Sequence, residues 1–383
     1  PSHASTLGTS DDLDWTSSAT NIVNSWTQTV DYAGTVTVYR SSADAALSLG
    51  DVDLQGGTWT HDASINNAHH SSTLLTPYDM LKVNAGSFTL GGGASIDVDD
   101  KGYGYKGGPG RSSGGASHGG DGDGATYGSF AEPDLPGSGG GNNSGANGGG
   151  VFYLAAGGAV DISGSITATG GGAPGRRNGS GGSVYIEADT IAGSGSIYAG
   201  GSNVGDLTPS GGGRVAVVLT GSDDFSAIGF FGGSLSVSAA GVDGTAAGTA
   251  YFEGVLDGNG EGTLVLDNAG VVTADSGGNE TDATDYSALS ALIVTNGGHL
   301  RVDSDDSIDF DATSVSGDGE LTIEVGAGGG LMETARPAYV VDGYTVNAPG
   351  ITNVAGDLVI TNGASMRPAA QTPWAVVVQG DLT

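Results

Sequence analysis

The sequence predicts an all-β protein, a right-handed parallel β-helix with a glycine-rich insertion, and three observations predict it. A segment of about 31 to 38 residues recurs along the chain. Each copy alternates apolar and other residues at period two, the signature of a strand with one buried face. Glycine, with 74 of 383 residues, returns at the same point of each copy.

The copies can be read directly. GGVFYLAA begins at Gly149, GGSVYIEA at Gly181 and GGRVAVVL at Gly212. A second stretch follows each: GSITATGG at Gly164, GSIYAGG at Gly195 and GGSLSVSAAG at Gly232. AGTAYFEG at Ala247 is a weaker copy, and GASIDVDD at Gly93 is an earlier half-copy. Period two puts Phe152 and Leu154, Val184 and Ile186, and Val215 and Val217 inward from the first stretch. From the second it puts Ile166 and Ala168, Ile197 and Ala199, and Leu235 and Val237 inward. One copy cannot bury its apolar face alone, so neighbouring copies must cover it. The glycines suit corners where positive φ or close backbone approach is required.

Three regions follow. Residues 1–84 read as a cap or irregular first coils, with strand candidates at Thr35 to Tyr39 and Met80 to Val83 and three of the four tryptophans. Residues 85–254 are the glycine-rich β-helix. The stretch 99–148 interrupts it and is too long for an ordinary turn, so it loops out or packs on a flank. Residues 255–383 continue the stack with shorter coils: GTLVLDNAG at Gly262, GELTIEVG at Gly319 and AGDLVITNGA at Ala355. Ser287 to Val294 has roughly helical apolar spacing but reads equally well as strand. The strand pattern runs up to Thr383, so the natural protein is expected to continue past it. The first residue, Pro1, is expected to follow processing or excision from something longer.

Composition narrows function. Eleven Lys+Arg against 43 Asp+Glu give a formal charge of −32. Such a chain lacks the basic footprint that nucleic acids and anionic membranes require. It favours solubility, divalent cations and salty surroundings. No cysteine is present, which excludes disulfides, thiolate metal sites and a cysteine nucleophile. No apolar run approaches the roughly 20 residues of a spanning helix.

The GGGxφxφ, GSIxAxGG and GTLxφDN strands resemble the glycine-rich β-helical segments of very large bacterial surface and secreted proteins, including filamentous-haemagglutinin-like adhesins. The likeness covers Gly91 to Gly270 best. It implies export, an extracellular or cell-surface location, and a role in adhesion, coating or fibre formation. It implies self-association or neighbouring domains as partners, and it carries over no catalytic residue.

Candidate chemistry is sparse. Residues two apart on a strand share a face, so Asp97 with Asp99, and Asp303 with Asp305, are candidates for a shared Ca²⁺. Asp121 and Asp123 lie in GGDGDGATY, which resembles the Ca²⁺-binding nonapeptide of RTX proteins in shifted phase and without a tandem copy. Flat rings stack on sugars, which makes Tyr103, Tyr105, Tyr127, Tyr185 and Tyr198 candidate glycan contacts; the competing reading has an outward tyrosine covering the insertion. A polysaccharide-degrading enzyme is the third reading, because parallel β-helices host pectinases and lyases. However, His118 sits in SHGG rather than Gly-His-Gly, no Arg-Ile-Lys occurs, and the only lysines are Lys82, Lys101 and Lys106. His61, His69 and His70 match no metal-site spacing. Asn142, Asn178 and Asn279 head glycosylation sequons.

Overall fold

The computed structural model describes residues 28–38, 46–61, 80–141, 145–172, 174–204, 208–271, 288–302, 313–323, 331–334, 338–348, 351–354, 356–368 and 375–383. Within these residues the protein is all-β, and its strands pair almost entirely in parallel. The single helical element among them is a 3₁₀ turn, Gly229–Phe231. Ala291–Thr295, inside the stretch with helical apolar spacing, is a strand. Its β-branched residues favour the pleated surface.

Two large sheets dominate. One runs in the order Gln28–Val38, Val52–His61, Phe88–Asp97, Ser165–Thr167, Ser196–Tyr198, Ser236–Ser238, with Ala159–Ile162 and Thr190–Gly193 alongside. The other holds nine strands, among them Leu81–Ala85, Val151–Ala156, Ser183–Ala188, Arg214–Leu219 and Thr249–Glu253 in that spatial order. The chain alternates between them: Leu81–Ala85 in the second sheet, Phe88–Asp97 in the first, Val151–Ala156 in the second, and so on. Each strand therefore pairs with its counterpart one repeat away. Bonds such as Ser210 to Gly179, Thr220 to Ala188 and Arg214 to Thr249 join residues 31, 32 and 35 apart.

Register turns the repeat into packed columns. Phe152 pairs with Val184, Val184 with Val215, and Val215 with Ala250. In the first sheet Ile96, Ile166, Ile197 and Val237 form the corresponding column. All the residues expected inward are buried, and they share one cluster between the sheets. Phe88 of one sheet meets Phe152 of the other with ring centroids 6.1 Å apart. Each such side chain contributes about 1.5–3 kcal/mol on burial.

Residues 99–148 pack on a flank. They form no extended strand among the described residues and lie along the N-terminal ends of second-sheet strands. There the backbone bonds to itself across glycine-rich segments: Gly120 N–H donates to Gly212 O, Gly211 N–H to Ala116 O, Gly149 N–H to Ser180 O. Most glycines here do not need a positive φ. They are required because a Cβ would strike a neighbouring carbonyl. A Cβ on Gly102 would stand 2.6 Å from Gly137 O, and one on Gly181 would stand 2.5 Å from Gly213 N. The crowded axis of collagen imposes the same restriction.

The stack changes after Glu253. Thr249–Glu253 and Thr263–Asp267 pair antiparallel, the one such pair among the described strands. Thr263–Asp267 is buried on both faces: Val265 joins the first core, while Leu264 and Leu266 open a second core on the sheet's opposite face. Phe225, Phe230 and Phe231 surround Phe252, with centroids 5.2 to 5.9 Å away, and close that end of the first core. Beyond it parallel pairing resumes with shorter rungs, such as Thr345 to Ser365, 20 residues apart, and Thr313 to Leu289, 24 apart. Corners here use positive φ: Asn296 and Gly297 have φ of 50° and 80°, the pattern of a type I′ turn. Asn268, fully buried, ties the two parts: it accepts from Gly241 N–H and donates to Thr245 O and Val271 O.

Close approach and open space predict different responses to one methyl group. Gly181→Ala is expected to destabilise by about 1–3 kcal/mol through overpacking. Gly157→Ala, with nothing within 4 Å of the new Cβ, is expected to stay within about 0.5 kcal/mol of the parent. Thermal unfolding of the two variants checks this, and equal midpoints would contradict the packing of the glycine layer.

Candidate functional site

The candidate aromatic residues occupy different places. Strand period two turns Tyr153, Tyr185 and Tyr251 away from the first core, onto the outer face of the second sheet. Tyr185 and Tyr251 are buried there, and Phe130 of the insertion packs on Tyr251 at 5.2 Å. Lys82, Tyr153 and Tyr185 lie in register on successive strands. The Lys82 ammonium sits 4.5 Å from the Tyr153 centroid, and the Tyr153 and Tyr185 rings stack at 4.5 Å. Ring faces that a sugar would use are thus occupied along the column. The hydroxyls are engaged as well: Tyr153 donates to Glu132, Tyr185 to Glu187 and Tyr251 to Glu253. Burial and these carboxylates push the three phenols far above their ordinary range.

Tyr103 is fully buried. Tyr127 packs against His118 with ring centroids 4.6 Å apart and the planes tilted, and its hydroxyl donates to Pro136 O and accepts from Ser138 Oγ. Tyr198 belongs to the other sheet, and its ring lies over Gly200. Tyr105 alone of the five candidates is exposed, at 39%. The five do not form one solvent-facing row.

Four of the six candidate calcium ligands, Asp97, Asp99, Asp121 and Asp123, lie among the described residues. Asp97 accepts from Asp99 N–H, and Asp99 in turn accepts from Thr169 N–H. Asp121 accepts from Ser117 Oγ in the glycine layer, and Asp123 lies against Gly114. Asp303 and Asp305 lie outside the described residues, as do His69 and His70. Among the described residues, no group of three or more His, Asp or Glu side chains is placed to hold a metal ion. Desolvation raises the carboxyls of Asp99, Asp100, Asp121 and Asp134 above the usual range.

His118 is fully buried, with Nδ1 2.9 Å from Gly181 O, so Nδ1 carries the proton in the neutral ring. Burial and the Arg214 guanidinium lower it to about 3. Arg214 is itself fully buried, donating from Nε to Tyr127 O and from Nη1 to Thr249 Oγ1. The pair fastens the insertion to the strand ends. Asn178, heading a sequon, is fully buried and donates to Thr208 O, which closes it to a glycosyltransferase in the folded chain.

The basic residues are unevenly distributed along the chain. Five of the eleven Lys+Arg, namely Lys101, Lys106, Arg111, Arg176 and Arg177, belong to the glycine layer and its edge. The segments 101–120, 135–160 and 162–186 contain no Asp or Glu. Lys106 N–H donates to Gly140 O, Ala146 N–H donates to Arg177 O, and Gly145 bridges Arg177. Arg111 Nη1 donates to Lys106 O. Lys106 lies 5.4 Å from the Tyr105 centroid, and Tyr105 Cβ faces Gly145. A cationic patch with an exposed aromatic ring thus sits on an acidic protein. The long acid-free runs were the signal that net charge averaged away.

The pH dependence of stability follows from His118. Its folded pKa is below the unfolded value near 6.5, so its contribution is complete above about pH 6.5 and is lost as pH falls towards 3. The raised carboxyls act oppositely, since protonation relieves the cost of burying their charge. His118→Gln is therefore expected to flatten the acid limb by up to about 1.4 kcal/mol per pH unit below 6.5. Denaturant unfolding at pH 4 to 8 checks this, and parallel limbs in the two proteins would refute a buried neutral imidazole.

No family model, curated protein or solved structure matches the chain.

Proposed function

We propose that the chain is a right-handed parallel β-helix followed by a shorter-rung continuation, and that it serves outside the cell as a structural or adhesive surface module. The observation that carries this reading is the column Phe152, Val184, Val215 and Ala250, repeated in register from rung to rung. A stack of this kind makes a stiff, extendable rod without disulfides, which suits a cysteine-free chain. Its strands bond to neighbours on both sides except at the ends, and an end edge accepts a further parallel strand. Self-association or abutting domains of a longer polypeptide are the partners this geometry favours. The surplus of carboxylates keeps such a rod soluble and apart from anionic membranes. No helix among the described residues is long and apolar enough to cross a membrane.

Antibodies raised against the folded chain are expected to label intact cells of the source, with electron micrographs placing the label on fibres or a surface coat. Labelling only after lysis, or a purely soluble antigen with no surface structure, would overturn the assignment.

A further inference from the structure

We propose that the cationic patch formed by Lys106, Arg111, Arg176 and Arg177 around Tyr105 is a binding site for an acidic polysaccharide, one bearing carboxylate or sulfate groups along its sugars. The inference stands on the patch itself and survives if the surface-scaffold reading fails.

Three features of the patch select this ligand. The first is segregation of charge. With 43 Asp+Glu in the chain, random placement would scatter carboxylates among these cations. Instead, the three segments that build the patch carry none over 101–120, 135–160 and 162–186. Asp100 and Asp123 are acidic residues at its border: Asp123 lies against Gly114, and Lys101 and Arg176 lower the Asp100 carboxyl against the stronger effect of burial. The second is rigidity. Lys106 and Arg177 are carried by backbone segments hydrogen-bonded to one another through Gly140 and Ala146, with Gly145 bridging Arg177, so the spacing of their main chain is set before a ligand arrives. The third is the ring of Tyr105, exposed beside the cations. Guanidinium groups pair with carboxylate or sulfate oxygens in a forked geometry, and a flat ring packs on the apolar face of a sugar. Together they match a polymer that alternates charge with ring faces.

The full chain in gels cast with alginate, dextran sulfate or neutral dextran gives the test. Retardation by at least one of the two anionic polymers, and not by neutral dextran, is expected at low salt and fades as salt rises. The double variant R176E/R177E is expected to lose about tenfold or more in affinity. Lys106→Glu serves as a second variant at an independent point of the patch. Tyr105→Ala is expected to weaken binding about three- to tenfold while leaving the salt dependence unchanged. Arg367→Glu, at an exposed cation on the strand Ser365–Pro368 outside the patch, is expected to bind as the parent does. Circular dichroism of each variant checks that it is folded. Equal retardation of the parent and both charge-reversed proteins would overturn the proposal, as would no retardation by either anionic polymer. Concentration-dependent self-association that disappears in R176E/R177E, without polysaccharide binding, would assign the patch to a second copy of the chain instead.

Discussion

Parallel backbone hydrogen bonding between segments some thirty residues apart is the constraint on which the first part of this molecule depends. It fixes which side chains stand above one another, because strand neighbours lie about 4.8 Å apart and a slip of one residue would turn every apolar group outward. The columns through Phe152 and Ile96 exist because the repeat keeps its phase from copy to copy. Cohesion then needs no disulfide and little long-range charge pairing. It comes from repeated burial of aliphatic side chains and from main-chain bonds satisfied rung by rung.

The same constraint explains two uses of glycine. Beside the second sheet, the insertion and the strand ends pack so closely that backbone touches backbone, and a methyl group at Gly102 or Gly181 has no room. Past Glu253, where rungs shorten, the tight corners call for left-handed backbone instead, and Asn-Gly pairs at 296–297 and 362–363 supply it. Between the two regimes lies the antiparallel pair, where the core crosses from one face of the sheet to the other. Phe252 and its ring of phenylalanines close the first core, and Asn268 holds the junction with three satisfied hydrogen bonds.

Much of the first core was legible because period two and a constant offset act together: Val184 and Val215 sit at the same point of adjacent copies and pair as that placement requires. The outer face was harder. Tyr185 alternates outward as expected, yet it is covered, because nothing local marks residues 114–138 as the layer that lies over it. The change of core face was hidden by Thr263–Asp267, whose three central residues are all apolar, so alternation gives no direction. Glycine was expected to serve positive φ or close backbone approach, and both uses occur: left-handed backbone at Asn296–Gly297 and close approach in the insertion. The basic patch was invisible to a net charge of −32, since only the positions of the carboxylates reveal it.

The register of the first sheet offers the most direct measurement. Thr58, Ser95, Ser165, Ser196 and Ser236 follow one another across four parallel pairings on its outward face. The chain has no cysteine, so Thr58→Cys/Ser236→Cys carries two spin labels and no others. Pulsed dipolar spectroscopy is expected to give one narrow distance near the roughly 19 Å that four strand spacings make, broadened only by the label arms. A distance beyond about twice that value, or several distances of similar weight, would contradict in-register stacking and the account built on it.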